Sequence, residues 1–304
     1  MFWSLILNLL LVLSVVARPL PAKLAVQGNI LSLKPNHSLL EIKAKRGALF
    51  DPADHLFIFQ QNADQVQPIA SISKLMTALV FLRNNPGWDQ IYQITASDNV
   101  PGGLVHLFLG ERVKVRDLFY TSLVASDNGA TMALVHATGL SEKEFVKQMN
   151  QTARQLGLLS THFLEPTGLS DGNVSTAHDV ALLAQAAFSY PEIRQATTMS
   201  KYDFQTLGGR DKQIISTDYL LDKSASSSVK VLAGKTGFTD PAGYCFVGLL
   251  QGASTSSQPL IVVVLNSDGK NERFLQSKQI FNWALDSYNL SQLGSFTSSY
   301  LKKF

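Results

Sequence analysis

The sequence predicts an α+β protein in which helices are inserted into one sheet, and three observations predict it. Strand-like runs lie toward both ends of the chain: 39–60 (LLEIKAKRGALFDPADHLFIFQ), and the pair 244–251 (YCFVGLLQ) and 259–266 (PLIVVVLN). Between them the apolar spacing is helical rather than alternating. The composition, 45% hydrophobic against 16% charged over 304 residues, supplies material for a sizeable core and excludes a disordered or collagen-like chain.

Taken in order, the first run turns at Asp51-Pro52-Ala53-Asp54, a hairpin signal. Pro68-Ile69-Ala70 then precedes SISKLMTALVFLRNN, closed by Pro86-Gly87; from Leu75 to Leu82 only Thr77 is polar, so this helix is predicted to be buried all round. Residues 110–139 read as two helices separated by a break. Ser141 and Glu144 have capping-box spacing, and Phe145, Met149 and Leu156 form the apolar stripe of the next helix, up to Gly157. Residues 176–200 read as helical. The runs at 244–251 and 259–266 read as a hairpin of buried strands, and 272–288 as a closing helix.

A net charge of +3 without any Lys/Arg-rich run gives no footprint for nucleic acid. The single cysteine, Cys245, excludes an intramolecular disulfide, and its expected place is a buried strand. The six histidines form neither HExxH nor a close pair, so no metal site is expected, and no cofactor is implied. Met1 to Ala17 (MFWSLILNLLLVLSVVA) is shorter than the roughly 20 apolar residues of a bilayer span and suits the core of a signal peptide. Small residues at Val15-Val16-Ala17, or at Leu20-Pro21-Ala22, offer a cleavage point. The expectation is export, with residues 1–22 either cleaved or kept as an N-terminal membrane anchor.

With metal chemistry and the G-x-S-x-G elbow absent from the sequence, Ser-x-x-Lys is what remains. It occurs at Ser71/Lys74, Ser227/Lys230, Ser267/Lys270 and Ser299/Lys302. Only Ser71 opens a buried helix, where the helix dipole favours a developing alkoxide. Lys74 lies one turn on, on the same face, and burial there lowers its pKa toward that of a useful base. The other three are expected to be solvated loop residues. Ser-Asp-Asn occurs at 97–99, read as a polar turn, and at 126–128, in the break between two helices, where side chains can be aimed into a cleft. Lys235-Thr236-Gly237 is unique and precedes the final hairpin, where an edge strand would offer its backbone to an extended peptide. Each triplet is expected on the order of 0.05–0.1 times by chance in such a chain.

Ser-x-x-Lys, Ser-Asp-Asn and Lys-Thr-Gly in this order form the motif set of serine β-lactamases and penicillin-binding proteins. The sequence resembles the low-molecular-mass penicillin-binding proteins, the serine D-alanyl-D-alanine carboxypeptidases and endopeptidases. Further stretches carry the likeness from about residue 40 to 288: Asn62-Ala63-Asp64, Gly110-Glu111 with Val115-Arg116-Asp117-Leu118, EPTGL at 165–169, Asn173 to Ala177 with Asp179, and GKTGFT with AGYC in 234–245. The resemblance implies the DD-peptidase/β-lactamase-like fold, an antiparallel sheet flanked by helices in three layers, with an all-helical subdomain at roughly 90–200 inserted in a catalytic domain at 39–288. Residues 23–38 would be a lead-in and 289–304 a tail.

It also implies roles. Ser71 would be the acylated nucleophile, Lys74 its base, and Ser126 the proton relay to the leaving group. Asn128 would bind the substrate amide and Lys74. Lys235 and Thr236 would hold a substrate carboxylate beside Gly237, and the N–H groups of Ser71 and Phe238 would form the oxyanion hole. Ser73 and Asp127 would be structural. Glu165 is followed by Pro-Thr-Gly-Leu-Ser, out of register with the deacylating Glu of class A β-lactamases, so inhibition by penicillin is expected rather than its hydrolysis. No arginine stands in Ile214 to Asp218, where many relatives carry an Arg-Asn pair, and Arg210 is not aligned with it. The partners implied are peptidoglycan stem peptides and β-lactams, in the periplasm or cell envelope. The short stretch after Tyr288 and the EPTGL and AGYC stretches favour an endopeptidase acting on D-alanyl cross-links over a carboxypeptidase. The alternatives of another class are a serine β-lactamase and an inactive cell-wall-binding relative.

Overall fold

The computed structural model describes residues 40–222, 229–252 and 258–288. The export segment at 1–22, the lead-in at 23–38 and the tail at 289–304 lie outside the described residues, as do Ser227, Ser299 and Lys302.

β1 (Arg46–Asp51) and β2 (Leu56–Gln61) form the expected hairpin. Asp51 makes its turn, its Oδ1 accepting from the Ala53 and Asp54 amides at 2.8 and 3.3 Å. β3 (Gln67–Pro68) and a tight 3₁₀ turn at Ala70–Ser73 lead into α1 (Lys74–Arg83). Every α1 residue from Lys74 to Phe81 is buried, as its unbroken apolar sequence requires. The helix stops at Asn84, whose Nδ2 donates to the Val80 carbonyl at 2.8 Å just ahead of Pro86. β4 (Ile91–Gln93) and β5 (Arg112–Lys114) pair antiparallel, ahead of α2 (Val115–Val124), α3 (Asn128–Ala137) and α4 (Glu142–Gln155). β6 (Val174–Ser175), α5 (Ala177–Phe188) and α6 (Pro191–Thr197) follow. A hairpin of β7 (Lys201–Gln205) and β8 (Asp211–Ile215) precedes the closing strands β9 (Val229–Thr239), β10 (Gly243–Gly252) and β11 (Leu260–Ser267), and then α7 (Glu272–Ser287).

The main sheet has the order β2-β1-β11-β10-β9, antiparallel throughout. β11 at its centre explains why its sequence is an unbroken apolar run instead of an alternating one. Ile261, Val263 and Leu265 join the core shared with α1, α2 and α5, while Leu260, Val262 and Val264 join the core under α7 with Ile280, Phe281 and Ala284. The sheet is thus buried on both faces, which gives the three layers expected. Cys245 sits fully buried in β10, and burial pushes its thiol up to about 11.

Several expectations need correcting. Residues 112–114 form a strand, because Ile91–Gln93 offers a partner ahead of α2. The stretch 176–200 is two helices, since Pro191 at the first turn of α6 cannot continue α5. Ser141 does cap α4, accepting from the Glu144 amide at 3.2 Å, but the Glu144 carboxylate turns to Lys147 at 3.5 Å instead of closing a capping box. Ser267 is buried at the end of β11 and accepts from Gln276 Nε2 at 3.2 Å, so it is no solvated loop residue. Asp98 of the first Ser-Asp-Asn lies in a turn, yet is buried and bound by His136 at 2.6 Å. The β7–β8 hairpin escapes a periodicity reading because its inward alternation includes Lys212 where an apolar residue would signal a strand.

Candidate active site

Ser71 lies in the 3₁₀ turn that feeds α1, and Lys74 is the first residue of the helix. The turn is strained: Ala70 has φ 48. It is also crowded on both sides, which accounts for two glycines. A Cβ at Gly237 of β9 would stand 2.9 Å from the Ile69 carbonyl oxygen and 3.2 Å from the Ser71 nitrogen. At Gly168, φ is +89 and a Cβ would overlap the Ala70 carbonyl. Edge strand β9 therefore runs hard against the Ser71 turn, bringing the backbones of Gly237 and Phe238 beside it. Phe238 itself is 47% exposed and stacks on Tyr244 at 4.2 Å.

Lys74 is completely buried. Its Nζ contacts Ser71 Oγ at 3.0 Å, Asn128 Oδ1 at 2.7 Å and the Thr167 carbonyl at 2.6 Å. Burial pulls its pKa down to about 7, against the opposing pull of Glu165 and Asp127. A lysine in that state can take the proton of a neighbouring hydroxyl near neutral pH.

The second Ser-Asp-Asn occupies the turn between α2 and α3, as its sequence context predicts. Ser126 has φ 60 and its Oγ accepts from Lys235 Nζ at 2.8 Å. Asp127 caps α3, accepting from the Ala130 amide at 2.7 Å, and also takes both the amide and the Nδ1 of His106 at 3.0 and 2.8 Å. Asn128 completes the link, its Nδ2 donating to the Gly102 carbonyl at 2.9 Å. Lys235 is buried, and its pKa lies well below the ordinary lysine value because of burial and the charges of Lys74 and Arg273. Two serines are thus each held by a buried lysine, and the eight residues singled out in sequence lie where β9, the Ser71 turn and the α2–α3 turn meet.

Ser73 is buried behind the turn, where its Oγ accepts from Asn173 Nδ2 at 3.1 Å. The Glu165 carboxylate is consumed by its own loop: it accepts from the amides of Thr167 and Gly168 at 2.6 Å each and from Thr167 Oγ1 at 2.6 Å. That loop presents the Thr167 carbonyl to Lys74, so Glu165 shapes the site instead of lining it.

Two neighbours of the site carry no sequence signal. Thr217 Oγ1 lies 2.5 Å from Thr236 Oγ1, at the stretch where an arginine is lacking. Arg273, in the first turn of α7, is buried and reaches the Gly237 carbonyl at 3.1 Å and that of Cys245 at 3.4 Å, its guanidinium over Tyr244 and Phe274. Nothing local to a polar helix start signals such a placement. Arg210, by contrast, is engaged with Glu111 at 2.8 Å.

The model of the D-alanyl-D-alanine carboxypeptidase family matches residues 33–269. The chain is 34% identical over 234 residues to the D-alanyl-D-alanine endopeptidase of Pseudomonas aeruginosa, covering 74% of this chain and 72% of that protein. It is 32% identical over 247 residues to the D-alanyl-D-alanine endopeptidase of Escherichia coli, covering 80% and 77%. The cefotaxime-bound crystal structure of penicillin-binding protein D2 from Listeria monocytogenes superposes with a TM-score of 0.69 at 30% identity, covering 83% of this chain and 100% of that one.

Proposed function

Because the chain belongs to the D-alanyl-D-alanine carboxypeptidase family of serine D,D-peptidases, with residues 33–269 matched, we propose that it cleaves D-alanyl bonds of peptidoglycan through an acyl-enzyme on Ser71. The observation that carries this reading is the pair of lysine-held serines: Lys74 Nζ 3.0 Å from Ser71 Oγ, and Lys235 Nζ 2.8 Å from Ser126 Oγ.

In the proposed sequence, neutral Lys74 takes the Ser71 proton as Oγ attacks the D-alanyl carbonyl carbon. The oxyanion is received by the N–H groups of Ser71 and Phe238, worth roughly 3–4 kcal/mol per donor. Ser126 passes its proton to the departing amine and regains one from the Lys74 ammonium, which returns to its neutral form, while Lys235 Nζ, 2.8 Å from Ser126 Oγ, stabilises the passing alkoxide. Asn128 orients the substrate amide. Lys235, Thr236, Thr217 and the field of buried Arg273 receive a substrate carboxylate, which offers a way to hold it without the Arg-Asn pair. An extended stem peptide lies antiparallel to edge strand β9. Water then hydrolyses the ester.

The endopeptidase assignment, on cross-links between strands, is supported by the two relatives of that name, at 34% and 32% identity. Carboxypeptidase activity is the second reading. The internal engagement of Glu165 argues against a β-lactamase, since it leaves that carboxylate no free oxygen for activating a water. Penicillin should therefore acylate Ser71 and stay. A peptidoglycan substrate places the enzyme outside the cytoplasm, in line with the apolar segment 1–17 as an export signal or anchor. Among the described residues no helix is long and apolar enough to cross a membrane. Digestion of purified peptidoglycan followed by fragment analysis tests the assignment. Collapse of cross-linked dimers to monomers is expected; pentapeptides shortened to tetrapeptides with dimers untouched would establish the carboxypeptidase instead.

A further inference from the structure

We infer that Lys212 is a positioning residue for this reaction: from β8 it clamps the 102–111 loop, and through that loop it holds the Ser126–Asn128 turn in working geometry. The inference rests on the peptidase reading above.

Lys212 is an oddity of the β7–β8 hairpin. It occupies an inward position of β8 and is 8% exposed, although a buried ammonium is costly unless it is paired. Its pairing is complete and directed at one loop. Nζ donates to the His106 carbonyl at 2.7 Å, meets Glu111 Oε2 at 2.8 Å, and sits 4.5 Å over the Phe108 ring. Glu111 closes the loop on itself, accepting from the Phe108 amide at 2.9 Å, and takes Arg210 of the same hairpin at 2.8 Å.

What the clamp fixes lies on the other side of the loop. The His106 amide and Nδ1 both converge on Asp127 Oδ2, at 3.0 and 2.8 Å. Four residues earlier, the Gly102 carbonyl accepts from Asn128 at 2.9 Å. The loop is therefore tied to the catalytic turn at both Asp127 and Asn128, and Ser126 beside them holds a left-handed backbone, φ 60, that persists only when its surroundings over-determine it. Apolar packing anchors this loop at Leu107, 7% exposed, but Leu104, Val105 and Leu109 are 77%, 57% and 73% exposed. Backbone bonds of Gly110 and Glu111 with Ile94 fix its far end, and at His106, where it meets the catalytic turn, the tie to Lys212 holds it. With Nζ removed, the His106 carbonyl and the Glu111 carboxylate lose a buried cation, the loop relaxes, and Ser126 drifts from Lys235 and the substrate. Misplacement on the 1 Å scale is enough for a loss of up to about a hundredfold.

The test compares wild type with Lys212→Met and Lys212→Arg for the rate constant of Ser71 acylation by fluorescent penicillin, and for kcat and KM on cross-linked muropeptide. Lys212→Met is expected to acylate at least about tenfold more slowly, with kcat falling and KM little changed. Lys212→Arg, which keeps the charge and a donor, should recover most of the rate. An unchanged acylation rate constant in Lys212→Met overturns the inference. So does a reduced labelled fraction with an unchanged rate constant, which is loss of folded enzyme and no more. Should Lys212→Met not fold, Lys212→Gln carries the same comparison. Failure of wild type itself to label would remove the peptidase reading, a result separate from failure of the clamp.

Discussion

An ammonium sealed among Ser71, Asn128 and the Thr167 carbonyl has exchanged its water for three fixed partners, and burial is the largest reason its pKa falls to about 7. The base is the neutral form, whose share drops tenfold per pH unit below that value. The acylation rate should therefore rise about tenfold per unit up to about pH 7 and level off above it. Stopped-flow acylation across that range checks this, and a flat profile on the acid side would refute Lys74 as the base. Glu165 supplies part of the charge that holds the lysine's pKa up, so Glu165→Gln should move the inflection to lower pH. At Gly237 the limit is steric. An alanine there would push its methyl to 2.9 Å from the Ile69 carbonyl, forcing β9 off the Ser71 turn. Gly237→Ala is expected to slow acylation by about a hundredfold while leaving Lys74 in place. Near-normal labelling would show that β9 does not set the geometry of the turn.

At the scale of elements, short local signals decide where helices begin and end, and long-range partners decide which of them meet. Ser141 caps α4 through the amide of Glu144, three residues on, and makes none of the contacts described at the site. Ser141→Ala should cost about 1 kcal/mol in denaturant unfolding and leave penicillin acylation at the wild-type rate. The turn between α2 and α3 differs in kind. Its cap, Asp127, is shared between its own helix and His106 some twenty residues back in sequence, so the same carboxylate starts a helix and fastens a loop. That dual use is invisible to any window along the chain. The β7–β8 hairpin shows the same limit: Lys212 in an inward position breaks the alternation by which a strand is recognised, and its partner Glu111 is on another element.

Across the whole molecule, two apolar cores share one sheet, and the site lies along the edge strand where the sheet, α1 and the α2–α3 turn meet. α7 seals the outer face with Ile280, Phe281 and Ala284 while its first turn carries Arg273 beneath β9. Phe281→Ala should therefore cost about 3–5 kcal/mol in urea unfolding, the range for a buried aromatic deleted from a core. A cost below about 1 kcal/mol would mean that α7 is not integral to the fold. The fold class, the buried α1, the central hairpin of β10 and β11, the residues of the three motifs and the Ser71–Lys74 pairing are all legible along the chain. Each of these is encoded in apolar runs, caps and residue types within a few positions of one another. Folding alone brings Ser126 to Lys235 and sets Arg273, Thr217 and Lys212 in the neighbourhood of the site. Those are contacts between polar groups distant in sequence. Burial, which makes them strong and shifts the lysines' pKa values, exists only once the layers have closed around them.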